Sequence, residues 1–368
     1  MGKRILRFVK SEPVLVISGI LAILSMFAVP PSSNYLGYID FRTLGILFCL
    51  MAAVAGLTGA GLFDAIARML SARAGNLQKL CFLLIIACFL LSMFITNDVA
   101  LITFVPLTLL LLGNTVSERV RIFTIVLETI AANLGSALTP FGNPQNLYLY
   151  SRYGMGIGEF LAVTVPVCVG GLVLIAAGFW LSRIPKQPVR MESGEAVFSK
   201  RQTYFFGAMF LLSLLAVFRV IPWYAVLAII VVALAAVARP IFRRIDYSLL
   251  LTFIFFFILV GNLGNIAAVE AIVSSLLEGR ELLVSAIVSQ FISNVPAALM
   301  LSGFTDDWQG LLAGTNIGGL GTLIASMASL ISFRLYARSP GAKSGKYFLV
   351  FTGFNFVFLV IMLGGTLL

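Results

Sequence analysis

Thr96-Asn97-Asp98 and Ser293-Asn294-Val295-Pro296 set hydroxyls, amides and one carboxylate in the middle of apolar segments, "FITNDVALITFVPL" and "FISNVPAALML". Neutral side-chain oxygens, together with carbonyls freed by a helix break, are ligands for Na+, whereas helix N-termini at such breaks favour an anion. The same residue types recur in "GSALTPFGNPQN" (Gly135–Asn146) and "GTNIGGLGT" (Gly314–Thr322). The candidate binding residues are therefore Thr96, Asn97, Asp98, Thr139, Gly142 and Asn143 in the first half of the chain. Their counterparts in the second half are Ser293, Asn294, Thr315, Asn316 and Thr322. Na+ would be held at Thr96, Asn97 and Asn143 and again at Ser293, Asn294 and Asn316; no other cofactor is expected. Small residues also let helices pack closely. That reading competes at each motif alone and weakens when four motifs fall in register.

Two acids stand out as candidates for coupling to a cation gradient. Asp98 has two open readings: an N-cap for a helix starting at Val99, or a carboxylate near the membrane midplane that binds Na+ or exchanges it for a proton. Glu128, midway along the limb before the first break, is the second candidate, and a pairing with a nearby Arg is its alternative. Asp64 and Glu270 fall at helix ends and read as structural.

The elements that must position these groups are membrane helices. The chain of 368 residues is 60% hydrophobic and 11% charged, with mean hydropathy +1.05, where a soluble domain carries about a quarter charged residues. Long apolar runs recur along the whole length, which makes this an all-α polytopic membrane protein. Full spans are expected at 14–30, 41–58, 160–181, 203–218, 223–238, 249–264 and 347–368, with interrupted ones at 120–150 and 308–336. Segments 79–113 and 281–303 fit no single span. The limbs around Ser293-Asn294, roughly 12 and 9 residues, reach about 18 and 13 Å, too short for a core of about 30 Å. They suit a re-entrant hairpin; segment 79–113 has longer limbs that could alone be two short spans, and its resemblance to the second favours the hairpin. No cleavable signal peptide is expected, because "MGKRILRFVK" runs into an apolar stretch without a cleavage site.

With the N-terminus cytoplasmic, the 25 basic residues fall on the inner side except for Arg42, Arg152, Arg219 and Arg280, as the positive-inside rule requires. That is also why a net charge of +10 does not point to nucleic acid. Cys49, Cys81, Cys88 and Cys168 lie in apolar segments with no CxxC pair and read as small core residues. With no histidine, His-based metal sites and proton relays are excluded, and so is a P-loop, since no GxxxxGK[ST] occurs.

The chain reads as two copies of one unit. Ile39-Asp40-Phe41 matches Ile245-Asp246-Tyr247, Asp64 pairs with Glu270, "MFITN" matches "QFISN", and "NLGSALT" matches "NIGGLGT", all collinear. The first copy takes residues 1–182. A cytoplasmic linker follows at 183–201, a connecting span at 202–220, and the second copy at 221–368. The connecting span turns the second copy upside down, an inverted repeat.

A Ser/Thr-Asn hairpin tip, the "TPFGNPQN" break and their echo resemble the ion transporter superfamily. That superfamily includes divalent anion/sodium symporters and the arsenite permease and NhaD-type antiporter branch. The resemblance covers nearly the whole chain and implies a scaffold, a mobile transport domain and a homodimer. In the symporters the third tip residue is Thr; here it is Asp98 or Val295, and an Asn-Asp tip lies closer to the arsenite permease side. The expected function is secondary active transport, at the inner membrane, of a small anion or oxyacid (arsenite-like or a carboxylate) coupled to Na+ or H+. A Na+/H+ antiporter centred on Asp98 and an ion channel are the alternatives. An enzyme is not expected, for want of His, a Ser–base pairing or spaced acids.

Overall fold

The computed structural model describes residues 12–113, 116–188 and 198–367. Lys3, Arg4, Arg7, Lys10, Arg190 and the middle of the expected linker lie outside the described residues. The described chain is helical throughout: α1 (Pro13–Ala28), α2 (Tyr35–Tyr38), α3 (Phe41–Gly59), α4 (Leu62–Ala72), α5 (Leu77–Ile95) and α6 (Asn97–Leu112). Then come α7 (Glu118–Ser136), α8 (Pro144–Arg152), α9 (Ile157–Leu181), α10 (Lys200–Val217), α11 (Trp223–Val237) and a 3-10 turn (Arg239–Arg244). The chain continues through α12 (Tyr247–Gly264), α13 (Ala267–Leu277), α14 (Glu281–Ile292), α15 (Asn294–Leu301), α16 (Trp308–Ile317), α17 (Met327–Ala337) and α18 (Ser344–Leu367). Among the described residues five helices, α3, α5, α9, α12 and α18, are long and apolar enough to cross a membrane. The protein is an all-α polytopic membrane protein.

Side-chain caps set several helix starts. Asp40 accepts from the backbone N–H of Thr43 at 3.0 Å and Asp246 from that of Leu249 at 3.0 Å. The two caps share their backbone conformation, φ −80°, ψ 86° and φ −79°, ψ 85°. Asn76 caps α5, Ser199 caps α10 and Asp307 caps α16 in the same way. Each satisfies an N–H that the helix itself leaves unpaired.

Contacts between loops define two ends. At one, Ser199 N–H meets Ala60 O, Leu77 N–H meets Gln187 O, and Lys343 pairs with Glu118 at 2.8 Å. This end carries Arg119, Lys186, Lys200 and Lys343, and the α5–α6 pair opens here, where Arg121 Nη1 donates to Gly113 O. At the other, Tyr153 Oη donates to Thr305 O at 2.8 Å, Arg219 Nη1 to Gly154 O at 2.9 Å and Arg42 Nη2 to Ala216 O at 3.3 Å. The α14–α15 pair opens at this second end. Two helix pairs thus enter from opposite ends, and their connections meet in the interior.

Packing follows the same plan. α5 and α6 lie against α7, and α14 lies against α16. α17 packs on α6 while α8 packs on α15, so the second limb of each broken helix leans on the other half's helix pair. α1 against α12 and α3 against α10 and α11 form the surrounding layer.

Candidate functional site

Both helix pairs turn on a single residue with positive φ. Thr96 has φ 69° and ψ 150°, and Ser293 has φ 78° and ψ 153°. A side chain with a Cβ seldom occupies that region, and a β-branched one such as Thr costs about 1–3 kcal/mol there. The following Asn then folds onto its own helix start. Asn97 Oδ1 accepts from Asp98 N–H at 2.9 Å, and Asn294 Oδ1 accepts from Val295 N–H at 3.0 Å. The two tips are one conformation used twice.

The breaks repeat in the same manner. Pro140 removes the N–H that would have continued α7, and beyond α16 the chain turns at Gly321, whose φ of 104° favours glycine. Gly142 N–H returns to Thr139 O at 3.3 Å, and Ala325 N–H to Thr322 O at 3.2 Å. Each second limb starts from extended backbone, Asn143 at φ −147°, ψ 140° and Ser326 at φ −143°, ψ 137°.

Tip and break are then tied together, again twice. Thr139 Oγ1 donates to Met93 O at 2.5 Å and Thr322 Oγ1 to Gln290 O at 2.8 Å, each reaching the residue three before its tip. Gly135 and Gly318 allow the approach. A Cβ on Gly135 would stand 2.2 Å from Phe89 O, and one on Gly318 would stand 2.8 Å from Ala286 Cα.

Across the centre the amides form one network. Asn97 Nδ2 donates to Asn133 Oδ1 at 3.0 Å, and Ser326 Oγ donates to the same oxygen at 2.9 Å. Asn133 Nδ2 reaches Gly319 O at 3.3 Å and Ser329 Oγ at 3.4 Å. A Cβ on Gly319 would lie 3.0 Å from Asn294 Nδ2, so both tips converge on this glycine. In the opposite sense Asn316 Nδ2 donates to Asn146 Oδ1 at 2.8 Å. Asn146 Nδ2 spans the first break, reaching the carbonyls of Ser136, Ala137 and Thr139 at 3.3–3.4 Å. Asn143 Nδ2 donates to Ser136 Oγ at 3.1 Å, and Asn294 N–H to Ala325 O at 2.9 Å.

The expected residues thus gather at one place, with differences in detail. No hydrogen bond joins Thr96 or Asn97 to Asn143, so that expected trio is held through Asn133 and Ser136 instead. Thr315 turns its hydroxyl back to Leu311 O at 2.8 Å, within its own helix. Asn133 and Asn146 complete the network and were not singled out from sequence; nor was Gln145, which lies beside Asn146 in the chain without joining it. Asn133 was within reach, because "NLGSALT" aligns it with Asn316.

The acids are corrected in one respect each. Asp98 is not a cap: α6 begins at Asn97, Thr96 holds the cap position, and Asp98 Oδ1 is buried without a hydrogen-bond partner. Glu128 is fully buried, accepts from Thr108 Oγ1, and leaves Oε2 unpartnered, with no Arg beside it. The ion pair recorded among the described residues is Lys343–Glu118. The four cysteines are buried and free, as expected.

Four helices, α6, α8, α15 and α17, begin at this centre and four, α5, α7, α14 and α16, end there. Positive and negative dipole ends alternate around neutral amides and hydroxyls. Such a centre offers donors to an anion and oxygens to a cation.

Residues 2–306 match the family model described as citrate transporter. An uncharacterized transporter of Methanocaldococcus jannaschii is 32% identical over 317 residues, 85% of either chain. The inner membrane protein YbiR of Escherichia coli is 31% identical over 318 residues, 85% of this chain and 84% of its own. The P protein of Mus musculus is 29% identical over 174 residues, 45% of this chain and 20% of its own. The chain therefore belongs to the citrate transporter family. It is a multi-pass membrane protein and a secondary transporter of small anions.

Proposed function

With membership of the citrate transporter family as premise, we propose that this protein carries a small carboxylate-bearing anion across the cell membrane, coupled to Na+ or H+, by alternating access. The observation that carries the reading is the twofold use of one tip-and-break unit. Thr139 to Met93 and Thr322 to Gln290 are the same bond made in two halves that open at opposite ends. We take the halves as inverted repeats with re-entrant pairs α5–α6 and α14–α15, and the end bearing Arg119, Lys186 and Lys343 as cytoplasmic. A site shared by two such halves can be reached from either side in turn.

The helix starts at Asn97, Pro144, Asn294 and Met327 would receive the cargo's carboxylates. Amide oxygens and Asp98 would receive the cation. An oxyacid cargo such as arsenite rests on the Asn97-Asp98 pair alone and is the weaker of the two expectations. Cation exchange centred on Asp98 is a second reading, favoured by its buried, unpartnered Oδ1.

Counterflow in proteoliposomes tests the proposal. A panel of citrate, succinate and arsenite is assayed with and without a Na+ or pH gradient. Exchange of a labelled carboxylate against its unlabelled form, stimulated by one of the gradients, is expected. Flux through an open pore without counterflow would overturn carriage, and stimulation only with arsenite would overturn the carboxylate assignment.

A further inference from the structure

Gln145 is fully buried, and neither Oε1 nor Nε2 has a hydrogen-bond partner. Among the described residues it is the one buried carboxamide left unpaired at both ends. Buried polar groups are almost always satisfied, so a group that is not calls for an explanation. Gln290 gives the contrast within the same molecule. Its Nε2 donates to the carbonyls of Ala286, Gly318 and Leu320, and its Oε1 accepts from Thr322 N–H at 2.9 Å. A glutamine serving structure in this centre is saturated; Gln145 is not.

Its neighbours narrow what it waits for. Gln145 stands in the first turn of α8 between Asn143 and Asn146, whose side-chain amides are engaged with the first break. Asn146 Oδ1 is occupied by Asn316 Nδ2, while Asn316 Oδ1 is itself buried and unpartnered. Two carbonyl oxygens and one N–H2 group are thus left open on α8 and α16, the two helices that the Asn146–Asn316 bond joins. The corresponding position in the second half, two residues into α17, is Ala328, also buried. The repeated unit supplies a polar group on one side only, as a site for an asymmetric ligand requires.

We propose that Gln145 is a ligand-contacting residue of the transport site, its Oε1 facing Na+ together with Asn316 Oδ1 and its Nε2 donating to a carboxylate oxygen of the cargo. The assignment rests on the transport reading above. Hard oxygen ligands suit Na+, and an amide donor beside a helix start suits a carboxylate. One side chain would then touch both species and report the presence of each to the other.

The test uses opposite signs. Gln145→Met keeps the length of the side chain and removes both polar atoms. Replacing buried, unpartnered polar atoms by apolar ones is neutral or stabilising. The full-length purified variant without Na+ or citrate should therefore unfold at the wild-type temperature or above it. In titrations with NaCl against choline chloride, and with citrate in Na+, its half-maximal stabilisation should require at least about ten-fold more ligand than the wild type. Unfolding several degrees lower without ligands would mean that Gln145 holds the fold, and would overturn the proposal. Wild-type concentration dependence in the variant would overturn it equally. Wild-type counterflow measured in parallel separates the failures: counterflow with no Na+ or citrate response sinks the Gln145 assignment alone, and no counterflow sinks the transport reading on which it rests.

Discussion

Asn97 Nδ2 donates to Asn133 Oδ1 at 3.0 Å, joining the first hairpin tip to the limb that precedes the first break. Asn133 in turn reaches Gly319 and Ser329 in the second half, so loss of the Asn97 amide removes a bond shared by both halves. Asn97→Ala and Asn294→Ala should each weaken transport by about 5- to 150-fold in affinity, the equivalent of roughly 1–3 kcal/mol for one lost partner at a buried site. The polar control must lie outside such bonded interiors, which excludes Ser302, buried and bonded to Tyr148 Oη at 2.8 Å. Ser275→Ala, exposed and bonded only to its own helix, serves instead. Near-normal uptake by both Asn variants would remove the tips from the site.

Asp98→Asn tests coupling. The carboxylate caps nothing, so the substitution should leave folding and membrane insertion intact. Transport should lose its dependence on the driving gradient when measured between about pH 5.5 and 8.5 with and without Na+, because a neutral amide cannot exchange a cation for a proton. An unchanged profile would move the search to Glu128.

Glu128 ties α7 to α6 through Thr108. Glu128→Gln keeps an acceptor for that hydroxyl and should unfold near the wild-type temperature. Glu128→Ala leaves Thr108 without an acceptor in a sealed interior, a loss of about 1–3 kcal/mol. Thermal unfolding of the three proteins decides the matter; equal melting of Gln and Ala variants would show that the bond contributes nothing.

Gly135→Ala and Gly318→Ala should each displace a helix pair from its broken helix, since the new methyl would meet backbone rather than a movable side-chain end. Overpacking of this kind costs about 1–3 kcal/mol or more. Gly345→Ala, with nothing within 4 Å, is the control. Wild-type melting of both central variants would contradict the close approach.

The sequence was most legible where backbone chemistry is restrictive. Thr-Asn-Asp and Ser-Asn in apolar runs located both turns to the residue, and Pro140 and the Gly318–Gly321 run located both breaks, because few other residues are used there. Spans were less legible. α1 and α11 are shorter, and α10 is less apolar, than the five helices that qualify by length and composition. Hydrogen-bond partners were the least legible. Which of Asn133, Ser326 and Ser329 meets Asn97 depends on how α7 and α17 cross, and no local pattern records that. A cap stayed one of the two readings of Asp98 for the same reason: residue type favours capping, and only the backbone of Thr96 shows the position already taken.

The centre where eight helix ends meet contains, among the described residues, amides, hydroxyls and Asp98 but no lysine or arginine side chain. A loaded carrier therefore has no fixed positive charge to cancel its cargo. Each uncompensated charge moved across the full membrane potential changes the energy by about 2.3 kcal/mol per 100 mV. With the cell interior negative, inward movement of a trivalent anion beside an ionised Asp98 would run steeply against the voltage unless cations travel with it. The number of accompanying cations then decides whether the current is inward, outward or zero, and the current per cargo molecule becomes a direct count of the ions that this site holds.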